Sequence, residues 1–88
     1  MSQPSLPIEW TPTARRSLAR LPEKIATAAV EFIYGALAEN PQRVGKPLRN
    51  ELAGLHSARR GSYRIVYRIT DVVTIMAIDH RAEIYHAH

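Results

Sequence analysis

Hydrophobic residues in this chain recur every three or four positions up to about Asn40, and every second position from Val44 onward. The first regime predicts helices and the second predicts strands. Leu6 to Trp10 is short, alternating and β-prone, with Pro7 marking an edge or a strand start. Thr11-Pro12 is a helix entry: the threonine caps, and proline takes the first helical position, where its missing N–H costs nothing. Ala14, Leu18 and Leu21 then line one face, leaving Arg15, Arg16 and Arg20 towards solvent. Pro22 ends that helix and can open the next, with Glu23 in the first turn matching the helix dipole. Ile25, Ala29, Phe32, Ala36 and Leu37 form the second stripe, which stops near Asn40-Pro41. Beyond it, Tyr63, Ile65, Tyr67 and Ile69 face one way, and Arg64, Val66 and Arg68 the other. Gly61-Ser62 turns a strand around Leu55–Arg60 into this one, and Asp71 marks the turn into a third run, Val72 to Ile78. The order is β-α-α-β-β-β. It predicts a single α+β domain over residues 1–88, with residues 1–5 a loose lead-in and a helical hairpin packed on one face of a small, mainly antiparallel sheet.

Charge sharpens this picture. Between Arg43 and Arg68 lie seven basic residues against one acid, Glu51, while the rest of the chain holds five basic and seven acidic residues. The net +4 is therefore a local patch, and such a patch points to a polyanion, most economically RNA or DNA. Ten of the twelve basic residues are arginine, whose guanidinium stays charged and forks onto phosphate oxygens. Cysteine is absent, which excludes disulfides and cysteine zinc sites. The N-terminus lacks the basic and apolar regions of a secretory leader, and no apolar run approaches the roughly 20 residues that span a bilayer. A cytoplasmic location without membrane association is expected.

If the tyrosine–isoleucine face packs under the helices, Arg64 and Arg68 project from the uncovered face. The neighbouring strand adds Arg59 or Arg60, and the end of the last strand adds Asp79, His80, Arg81, Glu83 and Tyr85. A basic surface with a tyrosine and histidines at its margin suits a phosphodiester backbone, and supplies cations and proton carriers for RNA cleavage. Lys46 and Arg49 read as polyanion contacts without chemistry. Arg68 reads first as a partner of Asp71 or Glu83 across the sheet, and second as an RNA contact. Tyr63 and Tyr67 read as core, and Trp10 as a packing residue. His80, His86 and His88 lack a carboxylate or cysteine to complete a metal set, so no metal and no cofactor is expected.

The elements Lys46-Pro47-Leu48, Gly54-Leu55-His56, Arg59-Arg60-Gly61-Ser62-Tyr63-Arg64-Ile65-Val66-Tyr67 and Ile78-Asp79-His80-Arg81-Ala82-Glu83-Ile84-Tyr85 together resemble the RelE/ParE superfamily of type II toxins, nearest to actinobacterial RelE toxins. Thr13-Ala14, Leu18 and Leu21-Pro22 extend the resemblance over nearly the whole chain. Likeness to RelE implies a toxin that enters the ribosomal A site and cuts mRNA there without a metal. The RNA's own 2′-OH attacks the adjacent phosphate, leaving a 2′,3′-cyclic phosphate or 3′-phosphate and a 5′-OH. The resemblance assigns Arg64 and Arg81 to the scissile phosphate, and Tyr85 to a base or to proton transfer. It further implies a RelB-like antitoxin whose acidic segment covers the basic face, with operator DNA bound only through that complex.

One departure stands out. Relatives carry lysines on the strand before the turn, and this chain has His56-Ser57-Ala58-Arg59-Arg60 there. A deprotonated Arg59 is very unfavourable as a base, whereas His56, His80 and His86 titrate near neutrality. A relocated base, positional activation of the 2′-OH and weak catalysis all stay open. A ParE-like gyrase inhibitor that cuts nothing shares the fold, and a non-catalytic nucleic-acid-binding module is a third reading.

Overall fold

In the computed structural model, which describes residues 5–80, the two hydrophobic periods become two layers. β1 (Ile8–Trp10) leads into α1 (Pro12–Arg20) and α2 (Glu23–Phe32), which runs on through a π-helical turn over Ile33–Leu37. A one-turn helix α3 (Pro41–Val44), strand β2 (Lys46–Pro47) and a 3-10 turn (Asn50–Leu52) follow. The chain then makes the predicted meander of β3 (Leu55–Arg60), β4 (Tyr63–Ile69) and β5 (Val73–His80). The strands lie in the order β1-β5-β4-β3-β2. β1 runs parallel to β5, and the other neighbours are antiparallel. The α+β architecture agrees with the hydrophobic pattern. Strand β2, only two residues long, has no periodicity to announce it and joins the sheet by pairing Lys46 with Ser57 and Pro47 with His56.

The core lies between the helices and one face of the sheet. Ala14, Leu21, Ala29, Ile33 and Leu37 meet Ala58, Tyr63, Ile65, Tyr67, Val73, Ile75 and Ile78 there. Tyr63 and Tyr67 are 7% and 0% exposed, so the tyrosines that alternate with isoleucine are core residues. The second helical stripe differs from its expected phase. Ala29, Ile33 and Leu37 are fully buried, whereas Ile25 and Phe32 pack only at the edge of the core. Within the π turn over Ile33–Leu37, the wider hydrogen-bonded loop rotates less per residue, which keeps Leu37 on the same buried face as Ile33.

Thr11 joins the two layers. Its Oγ1 accepts the Ala14 N–H at 3.0 Å as an N-cap. The same hydroxyl lies 3.1 and 3.0 Å from the Ile75 and Met76 carbonyls. Those carbonyls sit at a register shift between β4 and β5, where Tyr67 pairs with Ile75 but Val66 pairs with Ala77. The extra residue lets Ile75 and Ile78, three apart, both point into the core. At the β3–β4 turn, Gly61 takes φ 55°, the left-handed conformation that a two-residue hairpin requires.

Candidate functional site

The face of the sheet turned away from the helices carries the arginines. Register fixes which ones. Arg59 of β3 stands directly opposite Arg64 of β4, and Arg64 stands opposite Asp79 of β5. All three are exposed. The next row along the strands is Lys46, Ser57, Val66 and Ala77, and beyond it come Leu55, Arg68 and Thr74. Like charges directly opposite on a sheet cost about 0.2–1 kcal/mol. The Arg59–Arg64 pair therefore opposes folding, and an anion bound between the two would relieve it.

A groove of about 600 Å³ opens at this place, lined by Val44, Gly45, Lys46, Pro47, Leu48, Ser57, Arg59 and Arg64. Its floor is the β3–β4 ladder and its wall is the α3–β2 segment. A close approach holds that wall against the sheet. The buried Tyr67 hydroxyl donates to the Pro41 carbonyl at 2.6 Å. A Cβ on Gly45 would overlap that hydroxyl and lie 2.8 Å from the Ser57 carbonyl oxygen. Only glycine lets the backbone pass here; its dihedral angles, φ −129° and ψ −177°, are open to any residue.

The expected site residues divide between the two faces. Arg59, Arg64 and Lys46 converge on the groove, and Arg68 shares their face two rows away. Arg60 does not join them. It pairs with Tyr63 on the helix side, its guanidinium 4.6 Å over the Phe32 ring. His56 also turns to the helix side, stacked on Tyr67 with ring centroids 5.7 Å apart, and its buried Nδ1 has no hydrogen-bond partner among the described residues. His80 is buried on that same side, its Nε2 3.2 Å from Ser62 Oγ. Strand alternation explains all three, because His56 and His80 occupy the same parity as the core tyrosines they pair with. Neither histidine shares a face with Arg64. Arg49 is exposed ahead of the 3-10 turn, outside the groove lining. Arg81, Tyr85 and His86 lie outside the described residues.

Charge states follow from burial. The Tyr67 phenol is pushed up to about 12 by desolvation. Tyr63 is raised by burial too, with the Arg60 guanidinium pulling it back. Both are held as neutral phenols on the core side and serve as structure. Among the described residues, no three His, Cys, Asp or Glu side chains converge as a metal set, and no helix is long and apolar enough to cross a membrane. The exposed face therefore offers fixed guanidinium charge, one lysine ammonium, the Ser57 hydroxyl and, opposite Arg64, the Asp79 carboxylate. Its groove was not readable in the sequence. Val44, Gly45, Pro47, Leu48 and Ser57 line it because β2 pairs with β3, and Gly45-Lys46-Pro47 offers only the glycine as a hint of close approach.

Comparison with known proteins bears on the family and the fold. A family model described as the ParE toxin of the type II toxin–antitoxin system parDE matches residues 8–85. Toxin RelG of Mycobacterium tuberculosis is 57% identical over 81 residues, covering 89% of this chain and 93% of the relative. Toxin RelE of the same organism is 62% identical over 76 residues, covering 86% and 72%. The crystal structure of the M. tuberculosis toxin–antitoxin complex RelBE2 superposes with a TM-score of 0.86 at 53% identity, covering 89% of this chain and 93% of that one. With a family match over most of its length and relatives above half identity, the chain belongs to the ParE family of type II toxins, among its RelE-like members.

Proposed function

We propose that this protein is a ribosome-dependent, metal-independent mRNA endoribonuclease, acting in the cytoplasm and held in check by an antitoxin. The observation that supports the reading is the Arg59–Arg64 pair, two arginines at directly opposite positions of β3 and β4 that both line one groove. In cleavage, the ribose 2′ oxygen attacks phosphorus, the bond to the 5′ oxygen breaks, and a cyclic phosphate and a 5′-OH result. The phosphorane between these states carries extra negative charge. Arg64 and Arg59 stabilise it by charge-assisted hydrogen bonds to the non-bridging oxygens. Arg81 and Tyr85 complete the set by resemblance, one holding the phosphate and the other orienting a base. Lys46 extends the cationic track along the groove, and Arg68 extends the charged face.

Dependence on the ribosome fits so sparse a site. With no histidine on the open face among the described residues, much of the rate must come from holding the 2′-OH in line with the leaving group, and a programmed A site supplies that alignment. The antitoxin reading rests on charge complementarity and on the solved relative in a toxin–antitoxin complex. An acidic segment laid over Arg59 and Arg64 would remove their mutual repulsion and block the groove.

The test is a purified translation reaction with 5′ ends of the mRNA mapped by primer extension. Cuts inside A-site codons are expected only with ribosomes present. Arg64→Ala is expected to slow them by a factor on the order of 10² without unfolding the protein, because Arg64 is exposed. Intact mRNA with the wild-type protein overturns the reading. The ParE name of the matching family favours a second reading, gyrase inhibition. Loss of supercoiling by gyrase, with mRNA left whole, would establish it.

A further inference from the structure

The groove poses a question of proton supply. Cleavage moves one proton away from the 2′-OH and delivers one to the departing 5′ oxygen. The histidines within the described residues, His56 and His80, lie on the wrong face of the sheet. A guanidinium stabilises charge but gives up its proton too reluctantly to serve as an acid. The lining residues include one further cation. The chain has two lysines; Lys24 lies on α2, and Lys46 lies in the groove.

Three observations single out Lys46. It is exposed on the edge strand, so its ammonium is free to reach a ligand. It pairs with Ser57, the residue two before Arg59 on the same face, which sets it one row from the Arg59–Arg64 pair. Two residues along a strand span about 7 Å, a gap that a four-carbon side chain crosses. The backbone beneath it is fixed by the Gly45–Tyr67 close approach and the Tyr67–Pro41 hydrogen bond. A flexible side chain is thus mounted on a rigid base beside the phosphate position.

We propose that Lys46 is the general acid of the groove, protonating the leaving 5′ oxygen while Arg59 and Arg64 hold the phosphate charge. This rests on the RNA-cleavage reading above. The 2′ oxygen bonds to phosphorus as its proton passes to water. The bond from phosphorus to the 5′ oxygen breaks with its electron pair on oxygen, and the Lys46 ammonium proton transfers there. The neutral amine then recovers a proton from solvent, so nothing is consumed. Lysine is suited to this step because it stays positive near neutrality and can still release a proton to a developing alkoxide.

The experiment uses ribosomes programmed with a short synthetic mRNA whose scissile 5′ bridging atom is either oxygen or sulfur. Sulfur leaves without protonation, so it bypasses a general acid. Wild type, Lys46→Ala and Lys46→Arg are compared under single turnover, with melting curves to verify folding. Both variants are expected to cut the oxygen linkage slower by a factor on the order of 10². On the sulfur linkage they are expected to come within about threefold of wild type, since the acid term has been removed. Wild-type rates in Lys46→Arg would show that charge alone matters, and would overturn the proposal. Equal losses on both linkages would do the same by indicating a binding role. Wild type cutting neither linkage would sink the RNA-cleavage reading itself, and this inference with it.

Discussion

The wall of the groove depends on one close approach, and a double-mutant cycle measures it. Tyr67 is 0% exposed and its hydroxyl donates to the Pro41 carbonyl at 2.6 Å. Tyr67→Phe leaves that buried carbonyl without its partner, a loss of about 1–3 kcal/mol. Gly45→Ala forces a methyl group into the same hydroxyl and to within 2.8 Å of the Ser57 carbonyl oxygen. Overpacking of this kind costs about 1–3 kcal/mol. The two effects do not add. In the phenylalanine background the worst overlap is gone, leaving the Ser57 oxygen and the ring carbon at 3.1 Å. Gly45→Ala should then cost less there than in wild type, by about 0.5–1.5 kcal/mol, in the range seen for coupled neighbours. At roughly 2.1 cal/mol/K per residue, an 88-residue domain unfolds with an entropy of about 0.18 kcal/mol/K, so each kcal/mol moves Tm by about 5 °C. Thermal and urea melts of the four proteins, followed by circular dichroism, read this directly. Each single variant should melt about 5–15 °C lower, with the double variant clearly above the additive value. Strict additivity, or a neutral Tyr67→Phe, would refute the claim that hydroxyl and glycine are fitted to each other.

Other consequences are simpler to state. Arg60→Ala should cost about 0.5–1 kcal/mol of stability through the lost contact with the Phe32 ring, and should leave cleavage by ribosome-bound toxin at the wild-type rate; a large kinetic loss would return Arg60 to the site. His56→Leu removes a buried nitrogen that has no partner among the described residues, so a urea midpoint equal to or above wild type is expected, with cleavage intact; a kinetic collapse in a folded variant would restore His56 as the base. Alkaline titration should expose Tyr67. Its folded value near 12 exceeds the ordinary 10, so the neutral phenol binds its proton more tightly when folded. Its contribution is complete below pH 10 and is lost as pH rises towards 12. Urea melts should therefore weaken over that window in wild type, and less so in Tyr67→Phe; identical slopes would contradict the burial argument.

The helical layer and the meander were legible because their signals are local. Thr11-Pro12, Pro22 and the alternation of Tyr63 to Ile69 are short-range rules of capping, steric restriction and pleating, and the structure obeys each. Alternation likewise put Arg64 and Arg68 on the uncovered face, since a strand residue cannot change sides without a bulge. In the helix α2 stripe, Ala29 and Leu37 are buried and Ile25 and Phe32 pack at the edge of the core, while the burial of Ile33 through the following π turn leaves no mark in residue type. Strand β2 was missed because two residues carry no period.

An α+β order, a core with tyrosines in it and an arginine-bearing sheet face follow from side-chain period and charge, which are properties of neighbours along the chain. Which cations meet is fixed only by the folded contacts. Arg59 was separated from Arg60, His56 and His80 were turned inward, and Lys46 was carried beside Arg59 and Arg64. These outcomes rest on interstrand register and on one tyrosine hydroxyl fitted over a glycine. Such contacts between residues distant in sequence exist only once the chain has closed.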